Sequence, residues 1–442
     1  MKRIFFLFIC ILFFQKIFSQ DLTLYTMSPG AYVSWLRPSI VPDKKYYLEI
    51  PFLSSFNCQY SNSSFTYHDL YKRRADDSTF FDIDNILSKM KDNNFIGFNF
   101  SNVIIGFGMR IKKCFITFNV NERLDFGFAF PKELIDFIDK GNGPYIGKTL
   151  EFKNVSLDIM HFREYAFGFS GKINDKIFSG IRVKYLYGME NVSTVNKNLS
   201  LTTKQDDYSL HLISDITLNT STFFNSKNGY NNLNLEKYIF GLNNRGVSID
   251  IGTSFKINDK FELNGSLLDL GFIRWKDNLK NFRISSDDYE FKGIDLQEFV
   301  NDTAENVQYL LDSLSQAYKP LETVDSYSTA LHSRIFLSGS YKFREKTSAN
   351  MLFNLKFYNG LVSPAFSFSA QQKIGKAVSF SLSYSYVNNS FDNLGIGFLF
   401  QSKILSMFFV TDNIFGIIKP LNYRTTGVRG GVYFNWGLKI DD

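Results

Sequence analysis

The feature that most constrains the fold is a run of strict alternation near the C-terminus. In Val378-Ser-Phe380-Ser-Leu382-Ser-Tyr384-Ser-Tyr386 every even position is apolar or aromatic, and every odd position from 379 to 385 is serine. A period of two is the mark of a β-strand, whose successive side chains point to opposite faces. The last strand repeats it. Val428, Gly430, Val432, Phe434, Trp436, Leu438 and Ile440 share one face, and Arg429, Gly431, Tyr433, Asn435, Gly437 and Lys439 share the other. Further runs are Met351-Phe353-Leu355-Phe357, Leu394-Ile396-Phe398-Phe400, Ile335-Leu337-Tyr341-Phe343 and Ile249-Ile251-Phe255.

A secreted β-sandwich also alternates, but its strands are short, about 5–6 residues. The runs here extend over about 10–13 residues, and a tilted membrane strand needs ~9–11. Composition points the same way. Aromatic residues make 17% of the chain and Phe alone numbers 49; barrels place aromatics in girdles at both membrane interfaces. No segment after the first residues approaches the ~18 apolar residues of a membrane helix. The expected fold is therefore all-β, a transmembrane antiparallel β-barrel of about 14–16 strands with long extracellular loops and short loop helices. Its apolar faces meet lipid and its polar faces line the lumen. Lys356, Arg429, Tyr433, Asn435 and Lys439 are the lumen-facing polar candidates.

The N-terminus reads as an export signal: basic Lys2 and Arg3, an apolar run from Ile4 to Phe14, then Ser19 before the expected cut. Loss of Lys2, Arg3 and Lys16 with this leader (residues 1–19) lowers the formal charge from +6 to +3. A charge this small gives no electrostatic case for nucleic acid. Cys58 and Cys114 remain; two cysteines make no disulfide framework, and they read as isolated small side chains, with a bridge between them as the alternative in an exported protein. Residues 20–43 precede the first strand and form a candidate periplasmic or plug segment; residues 44–442 form the barrel.

The turns orient it. Lys172-Ile-Asn-Asp-Lys176 recurs as Lys256-Ile-Asn-Asp-Lys260, and short charged turns follow at Lys342–Lys346, Lys373–Lys376 and Arg110–Lys113. Long polar connections lie between them, near 131–156, 219–244, 275–330 and 412–427. Short turns on one side and long loops on the other place the short side in the periplasm. Counting back from the C-terminus gives up to 16 strands, including separate ones at 192–204 and 208–218. Two loops carry helical patterns. Pro131 opens one that ends at Gly141. The other, from Asp295 to Tyr318, is amphipathic and acidic; it reads as a cap over the barrel mouth, with Asp295, Glu298, Asp302, Glu305 and Asp312 as a candidate partner-binding face in the alternative.

Several stretches are similar to a family of uncharacterised outer-membrane β-barrels of Bacteroidota: Leu24–Pro29, Phe118–Glu122 with Phe130–Leu134, Gly141–Pro144, His161–Tyr165 running into Lys172–Lys176, Leu270–Trp275 and Asn393–Gly397. The resemblance implies an outer-membrane barrel and names no activity. More distantly, the layout is similar to long-chain fatty-acid transporters and to barrels associated with type IX secretion. Those often carry Asn-Pro-Ala near the N-terminus, where this chain has Arg37-Pro38-Ser39.

No metal-ligand spacing, nucleophile elbow or phosphate loop appears among the motifs, so neither an enzyme nor a cofactor is expected. His161, Arg163 and Glu164 form a local charged cluster before a strand and read as a solvated loop edge, with a substrate or partner contact as the alternative. The function expected is passive transport of a small or hydrophobic solute across the outer membrane. The alternative is an anchor that binds a secreted or surface partner through its loops. Besides outer-membrane lipid, the partner is then a small solute or such a protein.

Overall fold

The computed structural model describes residues 21–28, 30–74, 76, 78–222, 241, 243–291, 320–358, 361–388 and 390–437. The leader, Lys439 and the acidic pattern at 295–318 lie outside the described residues.

Fourteen antiparallel strands close into a barrel. They are β1 (Tyr46–Glu49 and Phe56–Asn62), β2 (Asn93–Ile111), β3 (Cys114–Pro131), β4 (Ser156–Lys172), β5 (Ile177–Thr203), β6 (Arg245–Lys256) and β7 (Phe261–Trp275). Then come β8 (Tyr327–Ala330 and Arg334–Arg344), β9 (Thr347–Tyr358), β10 (Leu361–Ile374), β11 (Val378–Val387), β12 (Ser390–Gln401), β13 (Leu405–Thr411) and β14 (Thr425–Trp436). β14 closes the ring on β1, pairing Tyr46 with Trp436 and Phe56 with Gly430. Closure leaves the wall no free edge, and in hydrocarbon every backbone N–H and C=O must find a partner within the protein.

The alternation of β11 sets its two faces apart. Phe380, Leu382 and Tyr384 are 43–52% exposed, whereas Ser381, Ser383 and Ser385 are at most 4% exposed. The same division runs round the wall. Phe167, Val183, Val247, Leu337, Met351, Phe368 and Phe409 all stand exposed on its outer face. A continuous apolar outer face is a lipid-facing belt, and this is a transmembrane barrel. Tyr46 stacks on Trp436 at the short-turn rim, and Tyr384 and Tyr386 pack on Phe391 at the other.

Both Lys-Ile-Asn-Asp-Lys repeats make the same turn. Asn174 Oδ1 accepts the N–H groups of Lys176 and Ile177, and Asn258 Oδ1 those of Lys260 and Phe261, all at 2.8–2.9 Å. An asparagine side chain closing its own turn in this way fixes a tight hairpin. Both repeats lie at the same end as the turns at 112–113, 345–346, 375–377 and 402–404. The helix opened by Pro131 spans Lys132–Lys140 and stops at Gly141, whose φ of 67° suits the residue. Cys58 and Cys114 are free.

The expected strand at 192–204 is not separate. β5 is 27 residues long and continues past Glu190-Asn191, where a β-bulge takes the place of the turn the polar residues suggest; Phe162 pairs with Gly188 but His161 with Glu190. At ~3.3 Å per residue such a strand far outruns a bilayer. Its far half pairs with Leu210–Ser221, which in turn pairs with Asn281–Phe291, making a ribbon beyond the wall. The wall therefore has 14 strands, two fewer than the upper count.

The described residues between 21 and 42 run inside the ring. Leu22–Thr26 is a short helix, fully buried. Tyr25 stacks on Phe336 and Tyr32 on Phe408. Leu22, Leu24, Met27, Val33 and Leu36 join the inward Leu352, Leu399 and Val410 in one apolar core. Each large side chain so buried contributes roughly 1.5–3 kcal/mol. Polar contacts fix the register: Tyr25 to Ser266 (2.9 Å), Ser39 to Ser254 (2.7 Å) and Arg37 to Glu262 (3.2 Å). Two wall glycines admit the chain. A Cβ on Gly180 would fall on the Pro38 carbonyl, and one on Gly252 would lie 2.8 Å from Pro38 Cδ.

If the outer face meets lipid, Leu382→Arg at the middle of β11 destabilises the barrel by about 2–4 kcal/mol in reversible unfolding from lipid vesicles. A change under about 1 kcal/mol would sink the assignment of that face.

Candidate functional site in the lumen

Above the inner segment the lumen changes character. A cavity with about 100 Å³ open to water-sized molecules lies at mid-height. Arg123, Glu164, Lys184, Asp269, Arg334, Lys356 and Arg429 are among its lining residues. Asp21, the first described residue of the inner segment, lies beside them.

Asp269 is the hub. Its Oδ1 lies 2.6 Å from Lys184 Nζ and 3.0 Å from Arg123 Nη1, and its Oδ2 lies 3.0 Å from Arg334 Nη2. Local backbone geometry aims it. β6 and β7 slip register between Ile249 and Ile251, and at this bulge Asp269 takes a left-handed conformation with φ 60°. Asp250 then faces the lumen too, accepting the Asp269 N–H at 2.8 Å and holding Lys184 at 2.8 Å. A bulge is the usual device for re-aiming a side chain, and aspartate tolerates left-handed backbone better than most.

The network spreads round the wall from there. Arg123 also meets Glu164 (2.9 Å) and Asp125 (3.2 Å). Arg334 bridges to Asp21 (3.2 Å), whose other oxygen meets Arg429 (2.8 Å). Arg182 lies 3.6 Å from Asp250. His332 bonds Asp158 at 2.8 Å. On the loop side, Met160, Phe162, Leu186, Ile273, Trp275 and Leu331 form a second apolar cluster, and Arg123 sits over the Phe162 ring. The charged layer thus lies between two apolar ones, where screening by salt is weak.

The sequence candidates divide. Lys356 and Arg429 line the cavity. Tyr433 and Asn435 lie lower: Tyr433 packs near Tyr32 and Tyr47, and Asn435 donates to Ser406 at 2.6 Å. Lys439 is outside the described residues, as are Asp295, Glu298, Asp302, Glu305 and Asp312. The loop-edge reading of His161, Arg163 and Glu164 needs correction. All three lie within β4, with Glu164 turned into the lumen against Arg123. His161 and Arg163 instead share Glu122, at 2.9 and 2.7 Å. A two-residue period sends neighbours to opposite faces, so the trio was never one cluster.

Sequence reading missed Arg123, Lys184, Asp250, Asp269 and Arg334. The available signal was parity. Arg123 with Asp125, and Arg182 with Lys184, occupy alternate positions in the middle of long strands, and Asp250 interrupts the apolar Ile249–Ile251 face from the other side.

Fold and lumen together define a transmembrane β-barrel that holds part of its own chain inside the ring. The chain belongs to a family of unknown function (DUF5723), matched over residues 38–412. No curated protein matches it in sequence. Among solved structures it is similar to the toluene transporter TbuX of Ralstonia pickettii, at 7% identity and a TM-score of 0.43, over 96% of this chain and 99% of that one. It is also similar to a FadL homologue of Pseudomonas aeruginosa (12% identity, TM-score 0.39, 92% and 94% covered). A third is the toluene transporter TodX of Pseudomonas putida (9%, 0.37, 95% and 93%).

Asp269→Asn removes the counter-charge that Arg123, Lys184 and Arg334 share. The expected cost is about 3–5 kcal/mol, read by urea unfolding in lipid vesicles. A double-mutant cycle with Lys184→Met should recover part of it. Additive losses would mean that the two charges do not interact.

Proposed function

We propose that this protein is a passive route for a small solute across the outer membrane of a Gram-negative cell, with residues 21–43 as its plug. One observation carries the reading: a closed ring holds a polar mid-height cavity, and the turn-side half beneath it is filled by the chain's own N-terminal segment. That segment is held by side-chain contacts, so it can shift while the wall's backbone ladder stays intact. The apolar outer belt and the export signal expected at the N-terminus support the location. The cavity wall is charged and polar, which favours a hydrophilic solute over a hydrophobic one.

The test locks the plug. Ser39 and Ser254 have side-chain oxygens 2.7 Å apart. Cysteines at both positions, in a background with Cys58 and Cys114 changed to serine, should form a disulfide that pins the segment to β6. Conductance steps in planar bilayers should vanish in the oxidised protein and return on reduction. Deletion of 21–41 should give larger steps. Equal conductance with the lock closed and open would overturn the reading.

A further inference from the structure

The cations of the cavity are unequally served. Arg123, Lys184 and Arg334 each contact Asp269, and each meets at least one further carboxylate. Lys356 has no carboxylate within 4 Å among the described residues, and its Nζ donates only to Asn99 Oδ1 at 3.2 Å. Arg429, 8% exposed, has one carboxylate, Asp21, which it shares with Arg334. Its Nε is buried without a hydrogen-bond partner among the described residues.

These two cations come from distant strands, β9 and β14, yet reach the same place. Lys356 ends on Asn99, and Arg429 ends on Ser101 at 3.4 Å. Asn99 and Ser101 are successive inward positions of β2, so the two contacts lie roughly 7 Å apart along the strand. Asn57, Gln59 and Ser363 line the cavity with them. Two under-compensated cations at this spacing, on the side of the cavity that Asn57, Gln59, Asn99, Ser101 and Ser363 make neutral and polar, suit a short molecule with an anionic group at each end.

We infer that the cavity binds a short organic dicarboxylate, one carboxylate on Lys356 and the other on Arg429 in competition with Asp21. The inference rests on the transport reading and names its solute class. Asp21 belongs to the plug, so a solute carboxylate that takes Arg429 also removes one of the bonds that hold the plug's described end. A half-buried ammonium with no carboxylate in contact is costly, and a ligand carboxylate relieves that cost.

The experiment uses the mature chain folded in detergent. Isothermal titration with succinate should show saturable binding, and the neutral isostere succinamide should show none. Lys356→Gln should weaken succinate binding at least tenfold and Lys356→Arg should largely restore it, each variant running as a folded barrel by gel mobility. Asp21→Asn should tighten binding, because the competitor is neutralised. Equal binding of succinate and succinamide, or succinate binding indifferent to Lys356→Gln, would overturn the inference. Liposome flux separates the two readings. Binding of succinate without flux would keep the site and sink the transport reading. Equal flux of succinate and succinamide, unchanged in Lys356→Gln, would keep transport and sink the site.

Discussion

The pairing of β14 with β1 is the constraint on which the rest of the molecule depends. An open sheet in hydrocarbon would leave two rows of N–H and C=O groups unbonded, at several kcal/mol each. Closure removes both rows and separates an inside from an outside. Only then can one face of each strand be chosen by lipid and the other by whatever fills the ring. β1 meets the demand despite a break between Glu49 and Phe56, because the Val432 N–H still donates to Leu53 and the Ser54 hydroxyl to the Val432 carbonyl.

Filling the ring sets the second problem. A barrel of this size encloses more space than short wall side chains can occupy. The chain solves it in layers. Near the short turns its own N-terminal segment supplies the missing apolar volume, and Gly180 and Gly252 give it room. At mid-height the space is left to charge. Buried ion pairs seldom add net stability over an apolar core of equal volume. A layer of them is therefore poorly explained as scaffold and better explained by what it can bind. Their arrangement agrees, because the pairing is rich around Asp269 and thin at Lys356.

Much of the wall was legible in the sequence, for a physical reason. Lipid on one side imposes a period of two that nothing else relaxes, so β11 and β14 could be read residue by residue. The repeated Asn-Asp turns were readable because an asparagine side chain closes them locally. Reading failed where tertiary context decides. Glu190-Asn191 has the polarity of a turn, yet the strand runs through it by a bulge beyond the membrane. The charges failed differently. Arg429 and Lys356 stood out on patterned strands, but Asp269 acquires its role only through a register slip opposite Asp250, and no local pattern announces a slip.

The inner segment links these layers. Its apolar residues are matched to the turn-side half, whereas its first described residue, Asp21, reaches into the charged layer and meets Arg334 and Arg429. Apolar packing, hydrogen bonds such as Tyr25 to Ser266 and Ser39 to Ser254, and the ion pairs of Asp21 thus hold one strip of chain. The apolar contacts are non-directional and indifferent to a polar solute. The Asp21 contacts are the ones an incoming anion can replace, since a second carboxylate offers the same arginines the same charge. Coupling of occupancy to plug position then needs no wire through the wall: the ligand and the plug compete for one guanidinium, and their mutual exclusion is the coupling.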